Sequence, residues 1–153
     1  MIRKKTYRPS MSNDNMKIIE DLVINEEFCI LATSNGIEPW TSLMTFFADH
    51  AAMKFYFLSH KNSQKSKNIK RNPHVAIHID RREHNLSLTI AGVYSPIKKQ
   101  QTAEAIKHLI PIKHPELKDF IEDDNVELIR IQGQNAQLMH GFSDKFEIKL
   151  KNS

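Results

Sequence analysis

Between residues 13 and 26 the apolar residues Ile18, Ile19, Leu22 and Val23 recur at i, i+1, i+4 and i+5. That spacing gathers them on one face of a helix, and Ser12 or Asn13 stands where a capping side chain is needed. From Phe28 the period shortens. Phe28-Cys29-Ile30-Leu31-Ala32-Thr33 is a strand-length apolar run ending in Ser34-Asn35-Gly36. Asn-Gly between apolar runs predicts a tight hairpin with a type I′ turn, because both central residues then take positive φ. The return strand is predicted over about 37–48, with Leu43, Met44, Phe46 and Phe47. After a turn at 49–52, Met53 to Ser59 reads as an aromatic-rich third strand. A short helix is predicted over 64–71, behind Ser63 and ahead of Pro73. Strands follow at Val75–Ile79 and Leu86–Ile97, with Gly92 as a bulge or close-approach point. Helices at 101–110 and 115–122 are separated by Pro111 and Pro115. Val126–Ile131, Ala136–His140 and Lys145–Leu150 are the last strands, the final one alternating Phe146, Ile148 and Leu150 with polar residues. Many short strands and few helices indicate an antiparallel barrel with helices outside it, mainly β in class.

Composition narrows this picture. The 153 residues suit one domain over 1–153, with 1–12 expected to lie loosely as a polar, basic segment. Hydrophobic residues at 40% and charged residues at 26% are the balance of a globular chain. The single cysteine, Cys29, excludes an internal disulfide and a multi-cysteine metal site. No apolar run reaches the roughly 20 residues of a membrane span. The basic N-terminus is followed by no apolar stretch, so no secretory signal is expected and the cytoplasm is the expected compartment.

The net charge of +4 is largely local. Between His60 and His74 lie five Lys/Arg and no Asp or Glu. The segment follows a strand and opens a helix, whose N-terminus offers unpaired N–H groups and partial positive charge to a phosphate. Ser63 would add a hydroxyl and Lys65 a full charge, with Ser59, Thr41 and Ser42 completing the cradle. A solvated lysine-rich helix face is the alternative reading of the same run. Nucleic acid fits poorly, since no aromatic residue interleaves with the basic ones.

Other residues offer less chemistry. Cys29 lies in an apolar run and is expected in the core. His78 points opposite to Ile77 and Ile79, toward solvent or a dimer interface. His140, at a strand end, reads as a structural or surface residue, and Trp40 as a core or interface aromatic. The eight histidines show no metal-binding spacing, and the chain has no phosphate-binding glycine loop and no nucleophile elbow.

From Glu38-Pro39-Trp40-Thr41-Ser42-Leu43-Met44-Thr45-Phe46-Phe47, through Phe55-Tyr56-Phe57-Leu58-Ser59, to Ser63-x-Lys65-x-x-Asn68-x-x-x-Asn72-Pro73-x-Val75-Ala76, the chain resembles the pyridoxamine 5′-phosphate oxidase-like FMN-binding split-barrel family. The resemblance covers about residues 14–95 well and the last third more loosely. It implies a homodimer of six-stranded split barrels holding FMN between subunits, and an oxidoreductase acting on a small molecule. The alternative is a non-catalytic flavin- or haem-binding module of the same fold. It implies that Ser63, Gln64 and Lys65 meet the FMN phosphate and that Leu58 and Ser59 lie along the flavin and ribityl chain. Thr41, Ser42, Leu43 and Met44 would line the ring, partly through backbone groups. Two departures stand out. Gln64 replaces an arginine common in the family, and Ser42 replaces a phosphate-binding arginine of the vitamin enzyme. The C-terminal Trp and Arg/His motif of that enzyme is also absent, so oxidation of pyridoxamine phosphate is not implied. The resemblance is to small bacterial members, and it marks no catalytic residue.

Overall fold

Alternation along the strands dictates the architecture, because each strand turns every second side chain toward a common interior. The computed structural model describes residues 11–150. In chain order they form α1 (Met11–Asn25), β1 (Phe28–Ser34), β2 (Pro39–Thr45), β3 (Phe47–Asp49), β4 (Lys54–His60), α2 (Gln64–Arg71), β5 (His74–Arg81), β6 (Leu86–Tyr94), α3 (Gln100–Lys113), α4 (Lys118–Ile121), β7 (Val126–His140) and β8 (Asp144–Lys149). Single 3₁₀ turns at Arg82–His84 and Pro115–Leu117 precede β6 and α4. Of the segment 1–12 expected to be loose, residues 1–10 lie outside the described residues. Met11 and Ser12 already belong to α1, so Ser12 and Asn13 sit inside that helix rather than capping it.

The strands form one antiparallel sheet in the order β2-β1-β5-β6-β7-β4-β3, with β8 pairing to β7 off this path. The edge strands β2 and β3 are separated in the chain by Phe46 alone. The sheet therefore curls until its two edges approach at that residue, which is 1% exposed. The predicted single strand over 37–48 is in fact these two strands, one on each edge. With β2–β3 taken as one bent run, the expected six barrel strands are present, and β8 is an addition.

Strand β7 is one 15-residue strand where two were expected. Its first half pairs with β4 and its second with β8, while β6 runs along its other edge. Gly133 lies at the handover. It does not break the strand; its N–H donates to Met53 O at 2.8 Å, and an added Cβ would meet that same oxygen at 3.1 Å. Gly92, read as a bulge or close approach, is both: the β6–β7 register shifts between Ala91 and Gly92.

The Asn35-Gly36 hairpin exists, but its turn differs from expectation. The last ladder pair is Ser34↔Pro39, which leaves a four-residue loop, and only Gly36 takes a positive φ, at 105°. The Asn35 side chain organises that loop, its Oδ1 accepting from the N–H groups of Ile37 and Glu38 at 2.9 Å each. Pro111, read as a separator, lies within α3. Contacts on either side of it hold the helix on course. Ile110 is buried, the Lys113 ammonium sits 4.3 Å from the Phe46 ring centroid, and His114 Nε2 lies 2.8 Å from Phe46 O.

Two apolar clusters result. The barrel interior joins Ile19, Leu22 and Val23 of α1 and Ile69 of α2 to inward residues of the strands, among them Leu31, Phe55, Ile77, Ile90 and Ile131. The second cluster lies on the outer face of β4 and β7, where Tyr56 and Leu58 pack under Ile106 and Ile110 of α3. Thus α3 and α4 cover one outer flank of the barrel, while the outer face of β2, β1, β5 and β6 carries the exposed or half-exposed Leu43, Phe28, Ile30, Ala32, Ala76 and Ala91.

Candidate functional site

The β4–α2 junction is fastened by hydroxyls. Ser63 caps α2 from an extended conformation, accepting from Ser66 N at 3.3 Å. Its own hydroxyl donates to His60 O at 2.8 Å. Ser59 Oγ lies 2.9 Å from both Ser63 Oγ and Ser66 Oγ. Ser59 Oγ also lies 3.3 Å from His60 O, so the three serine hydroxyls and that carbonyl form one relay. Ser59 and Ser66 are 1% and 0% exposed, so the relay lies inside the protein. The Ser63 side chain is thereby committed to the turn, while helix geometry leaves the Gln64 and Lys65 N–H groups without an intrahelical acceptor.

A second network anchors the helix from its other face. Gln64 Nε2 donates to Asn68 Oδ1 at 2.9 Å, and Asn68 Nδ2 donates to Thr33 Oγ1 on β1 at 3.1 Å. Gln64, itself exposed, braces Asn68 through this bond. Lys65 is half-buried and meets no carboxylate among the described residues. Burial alone pushes its ammonium below the usual lysine range. The rest of the basic run is different: Lys70 pairs with Glu127 at 2.8 Å, and Lys67 and Arg71 lie exposed. The sequence presents five equivalent cations; the fold leaves one of them desolvated and uncompensated at a helix start.

Strand β2 lies beside this junction, with α2 packed against β1 and β2. As a sheet edge it pairs only with β1, which leaves one row of its backbone groups outside the ladder. Thr41 and Leu43 share the outer face with Ala32 and Ile30, and Leu43 is 69% exposed. Ser42 and Met44 take the opposite face, where Met44 is buried in the barrel core. Met44 can therefore address a ligand only through its backbone. The Leu58 side chain packs under α3, on the face of β4 opposite Ser59. Of the nine candidate residues, Ser59, Ser63, Gln64 and Lys65 come together at the junction. Thr41, Ser42 and Leu43 lie on the adjacent edge strand, and the Met44 and Leu58 side chains belong to two separate cores. Sequence reading gave Thr33 and Ser66 no role and quoted Asn68 only within the family motif; Ser66 stands between two lysines, and nothing local tells that the fold buries all three.

The remaining candidates have structural partners. Cys29 is 2% exposed, and burial raises its thiol to about 12, which makes it an unreactive core residue. His140 Nε2 lies 3.0 Å from Asn15 Oδ1 of α1. His78 is exposed on the outer sheet face, with Nδ1 3.0 Å from Thr89 Oγ1. Trp40 is 51% exposed, opposite Thr33 on β2. Among the described residues, no group of three His, Cys, Asp or Glu is placed to hold a metal ion, and no helix is long and apolar enough to cross a membrane.

The bent β2–β3 run, the Ser63-capped helix and the β7 register extend over a region that the pyridoxamine 5′-phosphate oxidase family model matches, residues 16–139. The chain belongs to this family. No curated protein matches it. Among solved structures it is similar to General Stress Protein 26 from Bacillus anthracis, with 22% identity, coverage of 89% of this chain and 98% of that one, and a TM-score of 0.71. It is likewise similar to a putative pyridoxamine 5′-phosphate oxidase from Listeria innocua, at 22% identity, 83% and 99% coverage and a TM-score of 0.69. A third is HutZ, the haem storage protein from Vibrio cholerae, at 19% identity, 81% and 92% coverage and a TM-score of 0.67. At these identities the likeness shows that the oxidase family barrel is shared, with its curled sheet and flanking helices.

Proposed function

We propose that this oxidase-family chain binds FMN and acts in the cytoplasm as an oxidoreductase on a small molecule, two copies of the chain enclosing the flavin. Lys65 carries the reading. It is a half-buried ammonium with no carboxylate among the described residues, beside two open N–H groups at the start of an eight-residue helix. A charge that costs desolvation free energy and meets no internal partner is matched by a phosphate dianion. The Gln64 and Lys65 N–H groups and the Lys65 ammonium would hold that phosphate. Ser63, Ser59 and Ser66 keep the helix start at a fixed angle to β4. The edge backbone of β2, from Thr41 to Met44, would face the ring. FMN, when bound, supplies the electron-transfer chemistry, and the chain contributes binding, orientation and exclusion of water.

The second copy would cover the outer face of β2, β1, β5 and β6. There the small side chains of Ala32, Ala76 and Ala91 permit close approach, and Phe28 and Leu43 are 51% and 69% exposed. Apolar exposure of this kind marks an interface.

A haem-binding module is the second reading, favoured by the likeness to HutZ. It would draw on the exposed His78, whose Nδ1 engages Thr89 and leaves Nε2 for an iron, rather than on His140, which is tied to Asn15.

One experiment separates the readings. Purified protein is titrated with FMN, riboflavin and haemin, following absorbance and flavin fluorescence, with light scattering for mass. FMN binding tighter than riboflavin binding, by a dimer, is the expected result. Haemin binding with no response to FMN would overturn the flavin reading, and a stable 17.8 kDa monomer would overturn the shared site.

A further inference from the structure

Beside the second apolar cluster, on the outer face of the barrel, lies a cleft of about 750 Å³ lined by the end of β6, the segment from Ser95 to Lys99, Thr102 of α3 and the middle of β7. It is separate from the β4–α2 junction. Ser59 pairs with Glu127 at the start of β7, whereas the cleft is floored by Arg130, Gln132 and Gln134 farther along that strand. These three alternate with the buried Ile129, Ile131 and Gly133, so they stand on the outer face of the barrel.

Arg130 is held in place by neutral acceptors. Its Nε donates to Ser95 O at 3.1 Å, and its Nη2 to Ser95 Oγ at 3.3 Å and Pro96 O at 3.2 Å. None of these offsets its permanent charge. Other arginines of the chain are treated differently. Arg81 meets Asp21 and Glu26, and Arg82 meets Asp80. The lining also includes Lys98 and Lys99, both exposed and without a carboxylate among the described residues. No acidic residue lines the cleft. Three uncompensated cations, one of them preorganised, therefore face a single concavity.

We propose that this cleft is a second binding site, which takes a phosphorylated small molecule of nucleotide size. Three cations call for a multiply charged group rather than a single carboxylate. The volume lies in the range of small-molecule sites and exceeds what an inorganic ion needs. Val93, Pro96 and Ile97 give the organic portion an apolar wall, and Thr102, in the first turn of α3, adds a hydroxyl. The site stands independently of FMN binding at α2.

Adenosine 5′-monophosphate and adenosine serve as probes, titrated into the full-length chain at fixed ionic strength, with and without FMN, and followed by amide chemical shifts. The nucleotide should shift Ser95 to Thr102 and Arg130 to Gln134, and adenosine should not. The exposed pair Lys98→Ala/Lys99→Ala should weaken nucleotide binding about ten-fold or more, while Lys107→Ala/Lys118→Ala should leave it unchanged. The proposal is overturned by nucleotide shifts confined to Ser63 to Lys67, by equal response to adenosine, by wild-type affinity in the Lys98/Lys99 variant, or by no binding at millimolar nucleotide.

Discussion

Asn68 donates from Nδ2 to the Thr33 hydroxyl at 3.1 Å, joining the middle of α2 to β1 through two side chains that are each 2% exposed. This bond, rather than the lysines, fixes where the helix lies. Asn68→Ala leaves the Thr33 hydroxyl buried without its donor and releases Gln64. The expected cost is about 1–3 kcal/mol of stability, read by urea denaturation, with FMN affinity lowered because the start of α2 is no longer held in place. An unchanged denaturation midpoint would contradict this role for the bond.

Lys65 should trade stability against binding. Burial holds its ammonium below the usual lysine range, so the unfolded chain keeps that proton to higher pH. Between the two values the unfolded state binds more protons, and stability of the ligand-free protein rises with pH across that window. Lys65→Met should abolish the rise and raise the melting temperature at neutral pH. It should also weaken FMN binding by about ten- to a hundred-fold and leave riboflavin binding unchanged. Lys67→Met is the control, because Lys67 is exposed while Lys70 is occupied by Glu127. Melting curves at neutral and alkaline pH, with paired flavin titrations, check each part.

Gly92 tolerates no side chain. A Cβ there would lie 2.6 Å from Gln132 O and 2.9 Å from Ile131 Cγ2, and the first of these is backbone that cannot swing aside. Gly92→Ala should destabilise by about 1–3 kcal/mol, the range for overpacking, seen as a lowered denaturation midpoint.

Strand β8 should be needed for stability. Leu150 is 7% exposed, and the half-buried Phe146 and Ile148 pack against the same core. A chain ending at Ser143 loses all three. Leu150 alone contributes about 1.5–3 kcal/mol, a large part of the roughly 5–15 kcal/mol that holds a domain together. Melting of the shortened chain at the full-length temperature would show the strand to be dispensable.

What the sequence disclosed follows from how local each feature is. The Ser63 cap, the helix behind it and the alternation of β1, β4 and β5 depend on neighbours in the chain, and they are legible there. The bend at Phe46 is not. Phe46 and Phe47 read as one apolar strand with Leu43 and Met44, because only the closing of the barrel sends the two halves to opposite edges. Pro111 reads as a separator and residues 132–135 as a gap between two strands, yet tertiary contacts at Phe46 and Met53 carry the chain through both. At the candidate site, Lys65 was legible by position but not by environment. Nothing in the run from Lys61 to Arg71 tells that Lys70 finds Glu127, 57 residues away, while Lys65 finds no carboxylate.

The bend at Phe46 also bears on how the barrel assembles. The hairpins β1–β2 and β3–β4 each close over a short loop, with pairs such as Ser34↔Pro39 and Asp49↔Lys54. The joints that complete the barrel are distant in sequence, as in Ile30↔His78 and Phe55↔Ile131. Short loops close with little entropy loss and quickly, and distant ones late. Phe46 is the single residue between the two early hairpins, and it receives its hydrogen bond from His114, which the chain supplies 68 residues later. The two hairpins can therefore form as a hinged pair, and the angle between them is set only when α3 arrives.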